Sequence, residues 1–204
     1  MPRAGLNADA ITRAAAAIVD ADGAASLTLA RLAADLRVAP PSLYKHIAGL
    51  EDLLVRVGAF AFGRLADDLT TAALGRSGRL ALFGIAGAYR RFAIEHAGLY
   101  SLTQVAPERS SAEQQAQVAR AVGVVEAIVR SYGVPNELAL HAVRMVRAGL
   151  HGFADIEGRG GFQLLQSLDV SFDMLVDALD TSLKNLGLGR RHALAHLRAL
   201  PNES

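Results

Sequence analysis

Apolar residues recur at intervals of three and four along most of this chain, which is the periodicity of helices that bury one face. In the first such segment the apolar positions are Ile11, Ala14, Ala15, Ile18 and Val19. Asn7 precedes this segment and is suited to an N-cap, and Gly23 follows it and is suited to a stop. No segment shows the strict alternation of a strand, so the pattern predicts an all-α fold.

A short helix, a tight turn and another short helix are predicted next. Thr28 is suited to cap the second helix, whose apolar pattern is interrupted at Arg37. Ala39 stands before a proline, which disfavours helical backbone at that residue, whereas Pro41 suits the first turn of a helix. We therefore predict a third helix over residues 41–47, which completes a three-helix module of the helix-turn-helix type.

Longer helices are predicted for the rest of the chain. Glu51 and Asp52 favour the positive end of a fourth helix that extends to near Leu74. The remaining predicted helices cover about 79–96, 112–132, 135–156 and 168–186, with a break at Gly98-Leu99-Tyr100. The predicted domains are an N-terminal helix-turn-helix domain over 1–50 and a larger helical domain over 51–204.

Composition narrows the class of protein. Hydrophobic residues make up 51% of the chain and charged residues 20%, as in globular proteins. The absence of cysteine excludes disulfides, thiolate metal sites and cysteine nucleophiles. The longest apolar stretch, residues 80–89, is well short of the roughly 20 residues of a membrane span, and the N-terminus lacks the apolar core of a signal peptide. We expect a cytoplasmic protein that makes no membrane contact.

Net charge alone indicates no particular partner. Lysine and arginine total 21 against 20 acidic residues, and the first fifty residues hold five basic residues against four acidic ones. Neutralisation of phosphates supplies much of the affinity of proteins for DNA. If the N-terminal module binds DNA, geometry must therefore concentrate its few cations.

The predicted helix-turn-helix presents a surface suited to reading DNA. One small core would be formed by Leu32, Ala33, Leu36, Val38, Leu43 and Ile47. The same register leaves on the surface Pro41, Ser42, Tyr44, Lys45 and His46. A helix-turn-helix lays its second helix in the major groove, and an exposed Tyr44 beside Lys45 has no evident packing role. We predict that this second helix contacts double-stranded DNA.

The same segment resembles the TetR family of bacterial regulators. The resemblance lies in residues 38–47, above all in Leu43-Tyr44-Lys45-His46-Ile47, and in Glu51-Asp52-Leu53-Leu54. It implies that Thr28 and Tyr44 are phosphate contacts and that His46 is a phosphate contact or a packing residue. The residues that it places near bases or backbone are Pro41, Ser42 and Lys45.

Two residues depart from the family's pattern. The family commonly has a lysine where this chain has Leu50, and a hydroxyl or acidic cap where it has Ala39. We therefore expect fewer polar contacts with DNA than are usual in the family.

The second half of the chain loosely resembles the Trp-His-Gly type of TetR ligand-binding domain. The similar segments are Leu150-His151-Gly152-Phe153, where leucine replaces the tryptophan, and Gly160-Gly161-Phe162. We expect a ligand-responsive repressor without cofactor or enzymatic activity. It is expected to bind a palindromic operator as a homodimer, because one short recognition helix reads too few base pairs for specificity. A small, mostly apolar effector is expected to contact Tyr89, Phe92, Tyr100, Val125, Arg147, His151 and Phe153. For His151 a hydrogen-bonded core position is the favoured alternative.

Other charged residues of the second half are interpreted as solvated. Four acidic residues at helical spacing are interpreted as the solvent-exposed face of the last helix: Asp169, Asp173, Asp177 and Asp180. Arg90 and Arg91 are taken as an exposed pair. His192 and His196 lie four residues apart, but without a carboxylate nearby a solvated tail is favoured over a metal site.

Two other classes of protein are the alternatives. An enzyme built on a carboxylate-bridged metal site would need Glu-x-x-His pairs, and the chain has none; it also lacks a glycine-rich phosphate loop and a Gly-x-Ser-x-Gly nucleophile elbow. A helical binding protein could retain the three-helix module without operator recognition. Salt-dependent binding to DNA separates this second alternative from a regulator.

Overall fold

The computed structural model describes residues 6–104 and 111–189, and within these ranges the fold is all-helical, which confirms the predicted fold class. The α-helices of this part of the chain are α1 (Ala8–Asp22), α2 (Leu29–Asp35), α3 (Leu50–Ala73), α4 (Gly78–Glu95), α5 (Ala97–Leu102), α6 (Ala112–Ser131), α7 (Asn136–Gly158) and α8 (Leu168–Leu188). Two 3-10 helices lie at Ala24–Ser26 and Pro40–Lys45. We call residues Pro40–Lys45 the recognition segment.

Side-chain caps begin several helices. The Asn7 side chain accepts a hydrogen bond of 2.8 Å from the Ala10 amide at the start of α1. The Thr28 hydroxyl accepts one of 3.1 Å from the Arg31 amide at the start of α2. Each bond satisfies an amide that has no partner within the helix, so both predicted N-caps are confirmed.

The third helix differs from the prediction in type and extent. A 3-10 helix over Pro40–Lys45 replaces the expected helix over 41–47. Its i to i+3 bonds include Ser42 N to Ala39 O, 2.9 Å, and His46 N to Leu43 O, 2.9 Å. The Ala39 side chain cannot accept a capping hydrogen bond at the first turn. A segment of six residues can form few i to i+4 bonds, so the 3-10 geometry costs it little.

The predicted break at Gly98-Leu99-Tyr100 is wrong, because these residues belong to α5. Gly98 serves packing instead: a Cβ atom at this position would overlap the carbonyl oxygen of Val19 in α1. The glycine therefore allows the backbones of α1 and α5 to approach closely. A single glycine in a sequence does not reveal whether it stops a helix or allows such an approach.

The chain divides into two compact units. Unit 1 consists of Met1–Asp68 with Arg91–Ala121, and unit 2 of Leu69–Arg90 with Val122–Ser204. The predicted boundary at residue 50 is a functional one, between DNA-binding and ligand-binding regions, and stays a prediction.

Unit 1 contains the helix-turn-helix. In this unit α1 packs against α2 and α5. Next to this contact, His96 Nδ1 lies 2.6 Å from the Asp20 carboxylate and its Nε2 lies 3.2 Å from the Arg64 guanidinium. Since arginine can only donate, His96 accepts at Nε2 and donates from Nδ1. The imidazole thereby joins α1 to α3.

In unit 2 helices α7 and α8 pack against each other, with Gly149 facing the Leu179 side chain. Three aromatic rings cluster at one end of this contact. The centroid of Phe153 lies 4.9 Å from that of Phe162 and 5.1 Å from that of Phe172. The Arg90 guanidinium lies 4.9 Å from the Phe172 centroid, within the range of a cation–π contact.

In unit 2, Arg90 and Asp180 are not the solvated residues that the sequence predicted. Arg90 is mostly buried and forms a bidentate pair with Glu157, at 2.7 and 2.6 Å, while Arg91 is exposed. Asp180 is buried, not wet, because it lies three residues before Leu183 and four after Val176 on the buried face of α8. It accepts hydrogen bonds from the Tyr132 hydroxyl, 2.7 Å, and from Lys184, 2.6 Å.

None of the helices within residues 6–104 and 111–189 is both long and apolar enough to cross a bilayer.

Candidate nucleic-acid interface

The helix-turn-helix is built on a small apolar core. Leu32 and Leu43 are fully buried and Ile47 is 3% exposed. Ala33 is also buried, whereas Leu36 and Val38 are partly exposed. These buried side chains pack α2 against the recognition segment. Because they are the positions that the sequence pattern assigned to the core, the pattern also indicates which residues of the segment face outward.

The turn between the two elements is a Schellman motif. The amide of Val38 donates to the Ala33 carbonyl, 3.0 Å, and the amide of Arg37 donates to the Ala34 carbonyl, 3.0 Å. Arg37 has a φ of 54°, in the left-handed region that glycine usually occupies at this position of the motif. A side chain at this position costs roughly 1–2 kcal/mol. The sequence pattern indicated only that the second helix is interrupted at Arg37.

The predicted DNA-contacting residues of the recognition segment lie on or near the surface. Pro41, Tyr44 and Lys45 are exposed, with Tyr44 at 59%, and Ser42 and His46 are partly buried. Leu43 points the opposite way into the core. The segment therefore presents a phenol and an ammonium group side by side, as a surface that contacts both phosphates and bases requires.

Thr28 caps the start of α2. Its exposed side chain accepts the 3.1 Å bond from the Arg31 amide through the hydroxyl oxygen. That bond leaves the hydroxyl proton free to donate to an acceptor such as a phosphate oxygen. The residue can thus order α2 and contact DNA at once.

Ion pairs within unit 1 reduce the number of cations that are free to bind phosphates. Arg31 pairs with Asp22, and Arg56 pairs with Asp52 at 3.0 Å. Arg37 and Lys45 are exposed and form no ion pair with any residue in the part of the chain that the structure describes. These two residues therefore supply positive charge beside and within the recognition segment.

The start of α3 carries acidic and apolar residues. Leu50 is the first residue of α3 and Glu51 and Asp52 follow it. The Asp52 carboxylate accepts a 3.1 Å bond from the Ala48 amide. A surface cavity of about 480 Å³ lies here, lined by residues that include Leu50, Glu51, Val55 and Ser111. Glu51 is exposed and forms no ion pair with the described residues, so its charge disfavours a phosphate at this site. The absence of a cation at Leu50 acts in the same direction.

The predicted effector contacts are distributed over both units. In unit 1 Phe92 and Tyr100 are buried. In unit 2 Tyr89 is buried, Arg147 is exposed, and the partly buried residues are Val125, His151 and Phe153. Arg147 therefore lies on an exposed face of α7, unlike the other six residues. The role of all seven residues stays a prediction.

Among the described residues, no group of three or more His, Asp or Glu side chains could hold a metal ion. His192 and His196 lie outside the described residues.

Comparison with known proteins identifies relatives of both halves of the chain. Residues 82–179 match the family described as the tetracyclin repressor-like C-terminal domain. The chain is 31% identical over 191 residues to YobS of Bacillus subtilis, an uncharacterized HTH-type transcriptional regulator, and the match covers 91% of this chain and 98% of YobS. It is also 34% identical over 178 residues to an uncharacterized HTH-type transcriptional regulator of Mycobacterium tuberculosis, covering 84% of this chain and 79% of that protein.

Solved structures show the same fold. The TetR family protein ActR of Streptomyces coelicolor, crystallised in complex with (S)-DNPA, superposes with a TM-score of 0.64 at 19% identity. The superposition covers 89% of this chain and 98% of ActR. At this identity the likeness concerns the fold alone.

Proposed function

Because this chain belongs to the TetR family of transcriptional regulators, which bind DNA and dimerise, we propose that it is a ligand-responsive repressor that binds a palindromic operator as a homodimer. The observation that carries the proposal is the recognition segment, which exposes Tyr44 and Lys45 while Leu43 and Ile47 fix it to the core. We place its action in the cytoplasm, where a bacterial regulator meets DNA.

The recognition segment would lie in the major groove. From that position the Tyr44 and Thr28 hydroxyls donate to phosphate oxygens, and Lys45 and Ser42 reach base edges or the backbone. The contacts to phosphates set the register of the module on the duplex. The contacts to bases then select the sequence.

A homodimer is proposed because one six-residue segment reads too few base pairs for specificity. A two-fold pair of modules reads two half-sites and therefore matches a palindrome. We place the dimer interface on the outer faces of α7 and α8, whose exposed apolar residues include Leu140, Val170 and Met174. Light scattering that showed a stable monomer at micromolar concentration would contradict this assembly.

The proposed effector is a small, mostly apolar molecule bound between the helices of the larger domain. ActR, which has the same fold, was crystallised in complex with (S)-DNPA, and this supports a ligand site between the helices. An effector changes DNA binding only if its affinity differs between the DNA-competent and DNA-incompetent states. A broad ligand panel that changes neither the melting temperature nor the operator affinity would remove the sensor role from the proposal.

Selection of bound sequences from a random DNA pool tests the function directly. A palindromic site should be enriched, and its yield should fall when the selection is repeated with the correct effector. Sequence-independent binding, or no binding at low salt, would instead favour the helical binding protein that only retains the module.

A further inference from the structure

We propose that Arg37 is an additional DNA contact, whose guanidinium binds a backbone phosphate at the edge of the major groove that receives the recognition segment. This inference rests on the proposed DNA-binding function and adds a residue to it. It follows from the backbone conformation, exposure and pairing of Arg37.

The backbone at Arg37 is strained for a residue with a side chain. Among the described residues Arg37 is the one non-glycine with positive φ, at 54°, whereas Gly23, Gly49, Gly75, Gly78, Gly133 and Gly160 occupy the others. Left-handed backbone disfavours a Cβ atom, and glycine is the usual residue at this point of a Schellman motif. An arginine here therefore makes the turn less stable than a glycine would.

The turn is held by its two backbone hydrogen bonds, but no interaction of the Arg37 side chain with the described residues offsets the cost of that side chain. The Arg37 side chain is exposed, so it gains little from packing. It forms no ion pair or side-chain hydrogen bond with the residues of 6–104 and 111–189. Residues held in sparsely populated backbone conformations cluster at ligand-binding and other functional sites. The unpaired guanidinium of Arg37 is therefore available to an external partner.

The turn places Arg37 next to the DNA-contacting surface. Its two-bond Schellman motif fixes the backbone, and the recognition segment begins three residues later at Pro40. Three residues span at most about 11 Å, so the base of the arginine side chain lies close to the start of that segment. Of the residues that follow Arg37, Val38 is partly buried, and Ala39, Pro40 and Pro41 are exposed.

The chemistry of the module favours phosphate as the partner. A guanidinium presents parallel N–H donors that match two phosphate oxygens, and it stays charged at every physiological pH. Arg31 and Arg56 are engaged by carboxylates, and the start of α3 has Leu50 in place of a cation. Arg37 would thus compensate for a phosphate contact missing at Leu50. A phosphate is favoured over a base because Arg37 precedes the recognition segment.

Three substitutions separate charge from backbone strain. Arg37→Gly removes both, Arg37→Asn removes the charge and tolerates left-handed backbone, and Arg37→Lys keeps both. Operator affinity should therefore follow charge: the parent and the lysine variant bind best, and the glycine and asparagine variants lose about 10-fold or more. Thermal stability should follow backbone instead, with Arg37→Gly raising Tm by about 1–4 °C.

The measurements are DNA-binding isotherms over a range of salt concentrations, with the full-length protein and the selected operator, and thermal melts at one protein concentration. In the glycine variant the slope of log affinity against log salt should fall by about two for a dimer, one for each subunit. The preferred sequence should not change, because phosphates carry no sequence information. Arg91→Gln, which removes an exposed cation outside the helix-turn-helix, is the control and should leave the slope nearly unchanged.

The outcomes distinguish this contact from the function on which it rests. If the parent binds its operator and the glycine and asparagine variants bind equally well with the same slope, Arg37 makes no contact. An equal loss in Arg91→Gln overturns the contact too, because the effect would then reflect net charge. If the parent selects no DNA sequence at all, both the proposed function and the Arg37 contact are wrong.

Discussion

Tyr44 and Lys45 are the residues on which the proposed reading of DNA depends most directly. Both are exposed on a segment whose other face, at Leu43, is fully buried. Replacing both by alanine should leave the protein folded and dimeric but weaken operator binding by more than 10-fold, because a phosphate hydrogen bond and a charge are lost from each subunit. Fluorescence anisotropy and light scattering on the same samples measure the two properties.

The control for that pair is Leu43→Ala, which removes a buried side chain from the same segment. It should destabilise the module by about 2–5 kcal/mol, since a cavity replaces packed atoms. A double alanine variant of Tyr44 and Lys45 that binds the operator as tightly as the parent would show that this segment is not the reader.

A single substitution at Leu50 is expected to strengthen DNA binding. Leu50→Lys places a cation at the start of α3, where the family resemblance implies a phosphate contact. We expect tighter operator binding and a salt slope steeper by about one per subunit, because one more counterion is released. The effect should be moderated by Glu51 and Asp52, which follow directly. Unchanged affinity at low salt would place the start of α3 away from the DNA backbone.

At the scale of elements, Asp180 ties α8 to the end of α6. Burial raises the pKa of its carboxyl, but hydrogen bonds from Lys184 and Tyr132 outweigh burial and hold that pKa below its ordinary value. Burial and the bond to Asp180 also raise the pKa of Tyr132, so its hydroxyl stays a donor. The ion pair therefore contributes stability above the ordinary pKa of an aspartate, and this contribution is lost as pH falls through the lowered value.

Asp180→Asn tests this contact. At neutral pH the variant should be less stable by about 1–3 kcal/mol, a range reduced from that of a fully buried pair because Lys184 is half exposed. The difference in Tm between parent and variant should shrink as pH falls below about 4. Asp173→Asn, an exposed position on the same helix, should show neither effect. A difference that stays constant from neutral to acid pH would exclude the ionised carboxylate as its cause.

For the whole molecule, the proposed assembly predicts that the outer face of α8 joins two copies. Met174 is 68% exposed in the single chain, so Met174→Glu should not disturb the fold of the chain itself. In the dimer the same change buries a charge, and we expect a shift toward monomer and weaker operator binding. Light scattering and anisotropy over a concentration series measure both.

Leu80→Glu is the matched control for the dimer, since Leu80 is 71% exposed on α4 and lies outside the proposed interface. It should leave the oligomeric state unchanged. If Met174→Glu stays dimeric at the lowest measurable concentration, the interface lies elsewhere on the surface.

The sequence by itself determined most of the helices and the composition of the candidate interface. Three features depend only on residues a few positions apart: helical periodicity, the caps at Asn7 and Thr28, and the effect of Pro40 on Ala39. They can therefore be predicted from the sequence without knowledge of the tertiary structure. The same local spacing turns Leu43 inward and Tyr44 and Lys45 outward, which the structure confirms.

Tertiary structure decided what depends on distant partners. Asp180 is paired because Tyr132, 48 residues away, lies against its helix, and Arg90 is mostly buried because Glu157 reaches it from α7. Gly98 packs on α1 instead of ending a helix. Arg37 adopts left-handed backbone because the chain must turn there to bring the recognition segment back onto α2. Local patterns specify which face of a helix is apolar, but only the packed fold specifies what each face meets.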